Sequence, residues 1–387
     1  MPSVRTTAQL SLPTSDGRLE PYTLGEPSTM PTAAAPPRTR VAYSAAHVVA
    51  DPLVDVSPWL EAAIDWDATL AYRRYLWQLG MSVAEAMDTA QRGMGLDWPA
   101  SSQLIARSLE LAKAEGALDR VACGAGTDHI ASGTLDQIIG AYEEQCALVE
   151  QHDGRIILMA SRALAATAQG PEDYARVYDR VLSQVRQPVI IHWLGDMFDP
   201  ALAGYWGSAD LDTAADVCIA VLRGHADKID GIKVSLLDDA REIALRDRLP
   251  PGVRMYTGDD FNYPSLIASG SHALLGIFDA IAPAAAAALT ALDDGDLDRY
   301  HTVFAPTVPL ARHIFQSPTR FYKTGVVFLA FLNGHQDHFR MVGGQESARS
   351  VTHLAELFRL ADQAGVLIDP ERATQRMRCI LSLAGIG

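Results

Sequence analysis

From residue 40 onward the chain alternates short apolar runs with longer stretches in which apolar residues recur at helical spacing. The runs are Arg40–Ala46, Ser82–Met87, Arg120–Cys123, Arg155–Ala160, Pro188–Trp193, Ile229–Ser235, Val253–Thr257 and His272–Phe278. Between and after them the spacing predicts helices over Trp66–Leu79, Ser101–Ala114, Leu135–Gln151, Pro171–Val185, Leu211–Arg223, Asp239–Arg248, Asn262–Ala268 and Ala284–Leu292. Eight strand-plus-helix units in strict alternation predict an α/β fold, a closed (β/α)8 TIM barrel, with a doubly wound open sheet as the alternative. From Asp296 the pattern is helical only, over Leu297–Phe315, Thr319–Leu332, Ser347–Ala364 and Pro370–Leu383, which predicts an all-helical C-terminal extension. Residues 1–39 are rich in Pro, Ser and Thr and carry no apolar period. They read as a poorly ordered N-terminal arm outside the barrel. The expected division is therefore an arm at 1–39, a barrel at 40–295 and a helical extension at 296–387.

Composition narrows the class of partner. Hydrophobic residues make up 48% of the 387 and charged residues 20%, the balance of a globular protein. A formal net charge of -15 argues against nucleic acid and anionic membrane surfaces. It leaves room for a small anionic substrate held by local arginines. The four cysteines have no CxxC or zinc-like spacing, and Cys123, Cys146 and Cys218 lie in apolar contexts, as buried thiols of a reducing cytoplasm do. No apolar run reaches the roughly 18 residues of a membrane helix, and no secretory signal pattern opens the chain.

The chemistry concentrates on one lysine. Only four lysines occur, and Lys113, Lys228 and Lys323 sit on helices or at strand edges. Lys233 is inside the run Ile229-Asp-Gly-Ile-Lys-Val-Ser-Leu-Leu237. Strand alternation puts Gly231, Lys233 and Ser235 on one face and Ile232, Val234 and Leu236 on the other. In a barrel the aliphatic face meets the helices and the small polar face points inward. A lysine there is partly desolvated, which lowers its pKa and frees an amine able to form a Schiff base. An ion-paired or snorkelling lysine is the alternative on the local pattern alone.

Four motifs in order then resemble the dihydrodipicolinate synthase / N-acetylneuraminate lyase family. Asp230-Gly-Ile-Lys233 resembles that family's Gly-Ile-Lys on strand six, and Tyr256-Thr-Gly-Asp-Asp260 its Ser-Gly-Asp-Asp after strand seven. Gly270-Ser-His-Ala-Leu-Leu-Gly276 resembles its strand eight, and Ser317-Pro-Thr-Arg-Phe-Tyr-Lys323 its Asn-Pro-hydrophobic-Pro-Val-Lys helix start. The resemblance implies a class I aldolase-type lyase, with an imine on Lys233, no cofactor, a keto-acid or keto-sugar substrate and a homo-oligomeric assembly. It makes Lys323 structural.

The chain departs from the family at four places, one being the arginine that follows strand five, which is missing, with Asp196-Met197 in its region. Where strand five normally ends in Tyr-Asn, Pro188-Val-Ile-Ile-His-Trp193 sets His192 at the tyrosine position with Trp193 next. The Gly-Thr-Thr-Gly-Glu motif after strand two has as its nearest counterpart Met87-Asp-Thr-Ala-Gln-Arg-Gly93. The aromatic after strand four is replaced by Ser161-Arg162. The imine lysine is kept while the pocket around it is rebuilt, as in a divergent branch.

His192 is therefore the expected proton shuttle. Asp259 and Asp260 are expected to hold substrate hydroxyls or to cap the next helix. Arg92 and Arg162 are candidate anion clamps, and Thr89, Ser161 and Trp193 candidate pocket walls. His47 and Asp279 end strands one and eight and are candidates on position. His335 and His338 form an HxxH that one helical turn would bring to a metal, but no third ligand accompanies it, so no metal site is assigned. Two other functions stay open: a divalent-metal-dependent lyase or isomerase using His47, His192, Asp259 and Asp260, and a non-catalytic binding barrel.

Overall fold

A computed structural model of the chain describes residues 9–26 and 29–386. Eight parallel strands close a barrel: β3 (Ala42–Ala45), β4 (Ser82–Glu85), β5 (Val121–Ala125), β6 (Arg155–Leu158), β7 (Val189–Leu194), β8 (Ile229–Ser235), β9 (Arg254–Thr257) and β10 (His272–Leu275). They pair in chain order, and β10 returns to β3, so no edge is left open. The eight apolar runs of the sequence and the eight strands correspond one to one.

Loop chemistry explains where the outer helices begin. Asp65, Asp97, Asp210 and Asp238 each accept the backbone N–H three residues on, and Thr134 forms a full capping box with Gln137. Two apolar layers result. Tyr43, Ala84, Ala122, Ile157, Ile190, Tyr256 and Leu274 fill the barrel lumen. Ile191, Ile232, Val234 and their like on the other strand faces pack beneath the helices.

The C-terminal extension is helical, with one break that the pattern does not anticipate. The stretch Leu297–Phe315 forms two helices, Leu297–Phe304 and Thr307–Ile314. Pro306 stands between them, where its ring and missing N–H cannot continue a helix. Three more helices follow: Tyr322–Asn333, Val351–Gln363 and Pro370–Leu383. The first of these is buried along its whole length.

The N-terminal arm lies outside the barrel and carries a hairpin that its composition does not announce. β1 (Gln9–Pro13) pairs antiparallel with β2 (Leu19–Thr23). Leu10 and Leu12 are buried against the last two helices. The Tyr22 hydroxyl donates to Asp362 at 2.7 Å, and the Arg359 and Arg378 guanidiniums donate to the carbonyls of Leu12, Pro13 and Gln9. The arm's first eight residues and residues 27–28 lie outside the described residues.

One buried acid outside the barrel mouth makes stability depend on pH. Glu242 accepts from Ser271 Oγ at 2.8 Å, while its other oxygen has no partner among the described residues. Burial above all pushes its carboxyl up from 4.5 to about 7. The folded state thus favours the neutral acid, and that contribution is complete below pH 4.5 and lost as pH rises through about 7. Glu242→Gln is expected to raise Tm at pH 8 by several degrees. The gain disappears near pH 4, as scanning calorimetry at the two pH values will measure.

Candidate active site

The site lies at the C-terminal ends of the barrel strands, where loops rather than the packed lumen define the surface. On β8, Gly231, Lys233 and Ser235 point inward. Gly231 is needed there because a Cβ would sit 2.6 Å from the Tyr256 ring. Lys233 is 7% exposed, and among the described residues its amine makes no hydrogen bond or ion pair. Burial lowers its pKa, and the carboxylates of Asp260 and then Asp88 draw it partly back.

Three inward groups surround that amine. His192 on β7 stands opposite Lys233 in the ladder, and its Nε2 lies 3.2 Å from Ser235 Oγ. Its Nδ1 is buried without a partner among the described residues. Burial and then the Lys233 charge hold the ring well below the usual histidine range, so it is neutral at pH 7. Asp260 accepts the Ile277 N–H at 2.8 Å, and burial, the largest effect, raises its pKa to about 7. Asp88 follows β4, on a turn that Arg73 helps to set. That buried arginine binds Glu85 through two 2.8 Å contacts, and Glu85 in turn accepts the N–H of Ala86, whose φ is +51°.

Gly258 closes over the lysine. A Cβ there would lie 2.2 Å from Ser235 Oγ and 2.8 Å from Lys233 Cε, so only glycine lets the β9 loop cross. Gly258→Ala is expected to displace the lysine and cut turnover at least about tenfold, in line with the sensitivity of such chemistry to small misplacements. Tm should fall by only a few degrees. Kinetics and thermal melts on the same preparation test this, and wild-type turnover would refute it.

The remaining candidates divide. Asp259 spends its carboxylate on the N–H groups of Phe261 and Asn262 and on the Asn262 amide, in the turn that leads into the helix Tyr263–Ala268. Ser161 caps the helix Arg162–Thr167 and bonds Thr127. Arg92 lies in the cavity wall, but its donors are taken by the carbonyls of Ala86 and Gly124, by Asp128 and by Gln145. Trp193 points away from the site and meets Trp206 edge-on at 6.2 Å beneath the helices. Thr89 is buried and shares a 2.8 Å hydrogen bond with Tyr322. Arg162 reaches the cavity and binds Asp199 through Nε.

His47 and Asp279 form a separate buried pair, with Nδ1 2.9 Å from one carboxylate oxygen and Tyr72 donating to the same aspartate. His335 packs on Tyr72 and Tyr75, and the turn of 335–338 is not helical, so the HxxH does not act as an i, i+3 pair. Among the described residues no group of three or more His, Cys, Asp or Glu is placed to hold a metal ion.

Two cavities open here. One of about 270 Å3 is walled by Asp88, Thr127, Met159, Arg162, His192 and Leu194 among others. Lys233 is not in that wall, but its ladder partner His192 is. A second, of about 400 Å3, shares Asp88, Arg92, Arg162, Leu194 and Asp199 with the first and adds Tyr322, Lys323 and Arg320.

The fold is a closed (β/α)8 barrel with a buried lysine on the inner face of its sixth strand. Solved structures bear out the resemblance at the level of fold. Dihydrodipicolinate synthase from Thermotoga maritima superposes with a TM-score of 0.62 at 14% identity, covering 85% of this chain and 100% of that one. The Acinetobacter baumannii synthase complexed with pyruvate gives 0.62 at 16%, over 85% and 100%. YagE, a prophage protein of the dihydrodipicolinic acid synthase family from E. coli K12 in complex with pyruvate, gives 0.62 at 13%, over 90% and 99%. The chain itself belongs to the family described as "Protein of unknown function (DUF993)", whose model matches residues 10–386. No curated protein matches it in sequence.

Proposed function

We propose that this protein is a Schiff-base-forming lyase, an aldolase or dehydratase, that binds its carbonyl substrate as an imine of Lys233. The observation that carries the reading is the lysine itself: buried, without a hydrogen-bond partner among the described residues, and flanked by a neutral imidazole and by a carboxyl that titrates near neutrality. The neutral amine attacks the carbonyl carbon. The carbonyl oxygen takes up two protons in all and leaves as water, and the protonated imine then accepts the electron pair of the breaking C–C or C–H bond. Asp260 exchanges protons with the carbinolamine, since its pKa of about 7 suits transfer in either direction. His192 takes or returns the proton at carbon, its free Nδ1 being the lone buried acceptor on the adjoining strand.

The metal-dependent alternative loses support because its ligands do not converge. Asp259 is spent on a turn and His47 on Asp279. The partner is a small polar molecule, and assembly as a homo-oligomer in the cytoplasm fits the likeness to the synthases. No helix among the described residues is long and apolar enough to cross a membrane.

The deciding experiment is borohydride trapping with a panel of keto acids and keto sugars, read by intact mass and peptide mapping. A reduced adduct on Lys233 is expected. A true substrate that turns over and leaves no adduct there would overturn the reading.

A further inference from the structure

We propose that the substrate carries its anionic group, a carboxylate or a phosphate, at the far end from the reacting carbonyl, held in the second cavity by Arg162 and Lys323. The orientation rests on the imine reading; the anion site does not.

The two ends differ in the cations they hold, while Asp88 is common to both. Around Lys233 stand Asp260, Asp88 and a neutral His192. An anionic group on the carbon next to the imine would face two acids and no free cation except the lysine consumed in the reaction. Hydroxyl groups there would instead find acceptors. The neighbouring cavity carries Arg162, Arg320 and Lys323 against Asp88 and Asp199.

Lys323 is 4% exposed and forms no ion pair among the described residues. It donates to Arg320 O at 3.1 Å and to the weak acceptor Met94 Sδ at 3.3 Å, which leaves one ammonium N–H for a ligand. Asp88 and Asp199 act on this cation without pairing to it and the Tyr322 ring lies 4.8 Å away, so a bound anion would add the direct ion pair that the site lacks.

Arg162 offers the second arm. Only its Nε is bonded, to Asp199. Both Nη groups have no protein acceptor among the described residues, and such a pair matches a carboxylate or phosphate bidentately. The guanidinium lies over Gly93, where φ is +70° and a Cβ would come 2.8 Å from Nη1. Arg92, in the same wall, is not available, since backbone carbonyls, Asp128 and Gln145 take its donors.

The test has two arms. In a Lys233→Met background, where no imine forms, inorganic phosphate and succinate are titrated separately by calorimetry. Binding of at least one is expected, weakened tenfold or more by Lys323→Met and by the more exposed Arg162→Gln, and the better-bound ion tells phosphate from carboxylate. No binding of either ion, or binding that both substitutions leave unchanged, overturns the anion site.

In the second arm, wild type and Lys323→Met are trapped with borohydride in the presence of pyruvate, 4-oxopentanoate or dihydroxyacetone phosphate. The expected result is a tenfold or greater loss of Lys233 adduct in Lys323→Met with one or both remote-anion compounds, and no comparable loss with pyruvate. Equal trapping of all three in both proteins overturns the orientation while leaving the imine intact. If calorimetry shows the ion bound and no carbonyl compound is trapped on Lys233, the imine reading fails and the anion site stands.

Discussion

Lys233→Arg is expected to lose borohydride trapping entirely and to lower turnover by at least about 1000-fold, with the far-ultraviolet dichroism spectrum unchanged. Arginine keeps the positive charge but its guanidinium remains protonated and cannot add to a carbonyl. The geometry predicts more than simple loss. Gly258 leaves little room beside Lys233 Cε, so the bulkier arginine strains the loop. Lys233→Met, of similar length and without charge, is the better control for fold. Burial depresses the folded pKa of this lysine, so the charged side chain opposes folding at every pH below that folded pKa, and the penalty fades as pH rises towards 10.5. Lys233→Met should therefore be at least as stable as wild type at pH 6, in the pattern of sites that trade stability for reactivity. For the same reason trapping in wild type should reach its plateau at a lower pH than an unburied lysine would require. Retained turnover in both variants would remove the lysine from the mechanism.

His192→Phe is expected to reduce turnover by about 100-fold, the usual worth of a positioned acid–base group, and to leave imine formation intact. The substitution fills the same space in a fully buried slot, so Tm should move little. The diagnostic result is a split: the Lys233 adduct still forms, while exchange of substrate C–H protons with deuterated solvent slows with turnover. Because burial and Lys233 hold the ring neutral, His192 should add no inflection near pH 6.5 to the wild-type rate profile. An inflection near 7 belongs instead to Asp260 and should disappear in Asp260→Asn. Turnover near wild type in His192→Phe, or loss of the adduct, would contradict the assignment.

The barrel and its lysine were legible because both follow from local period. Alternation on Ile229–Ser235 turns Lys233 inward whatever surrounds it, and the Gly-Asp-Asp stretch after β9 delivers Asp260 to the amine. The same alternation sends Trp193 outward once His192 is inward, so the two cannot both line the site. Asp88 was within reach: it lies in the short segment after β4, next to the Thr89 that matches the family pattern. Tyr322 and Lys323 gave no comparable signal. They arrive over the barrel mouth from a helix 233 residues beyond Thr89, and no local pattern encodes that approach. The fates of Arg92 and Asp259 were equally hidden, since whether a charged group is free depends on acceptors supplied by other loops.

The clasp between the N-terminal hairpin and the last helices sets an order of events. The bond from Arg378 to Gln9 joins residues 369 apart, and the Tyr322–Asn333 helix packs against both helices that the hairpin touches. The eight barrel strands are synthesised before the last helices, so the clasp is the contact of longest sequence separation to be closed. Tyr322 and Lys323 reach the barrel mouth from a helix that rests on the same two helices as the hairpin. A change in the hairpin therefore bears on the barrel mouth through that shared support.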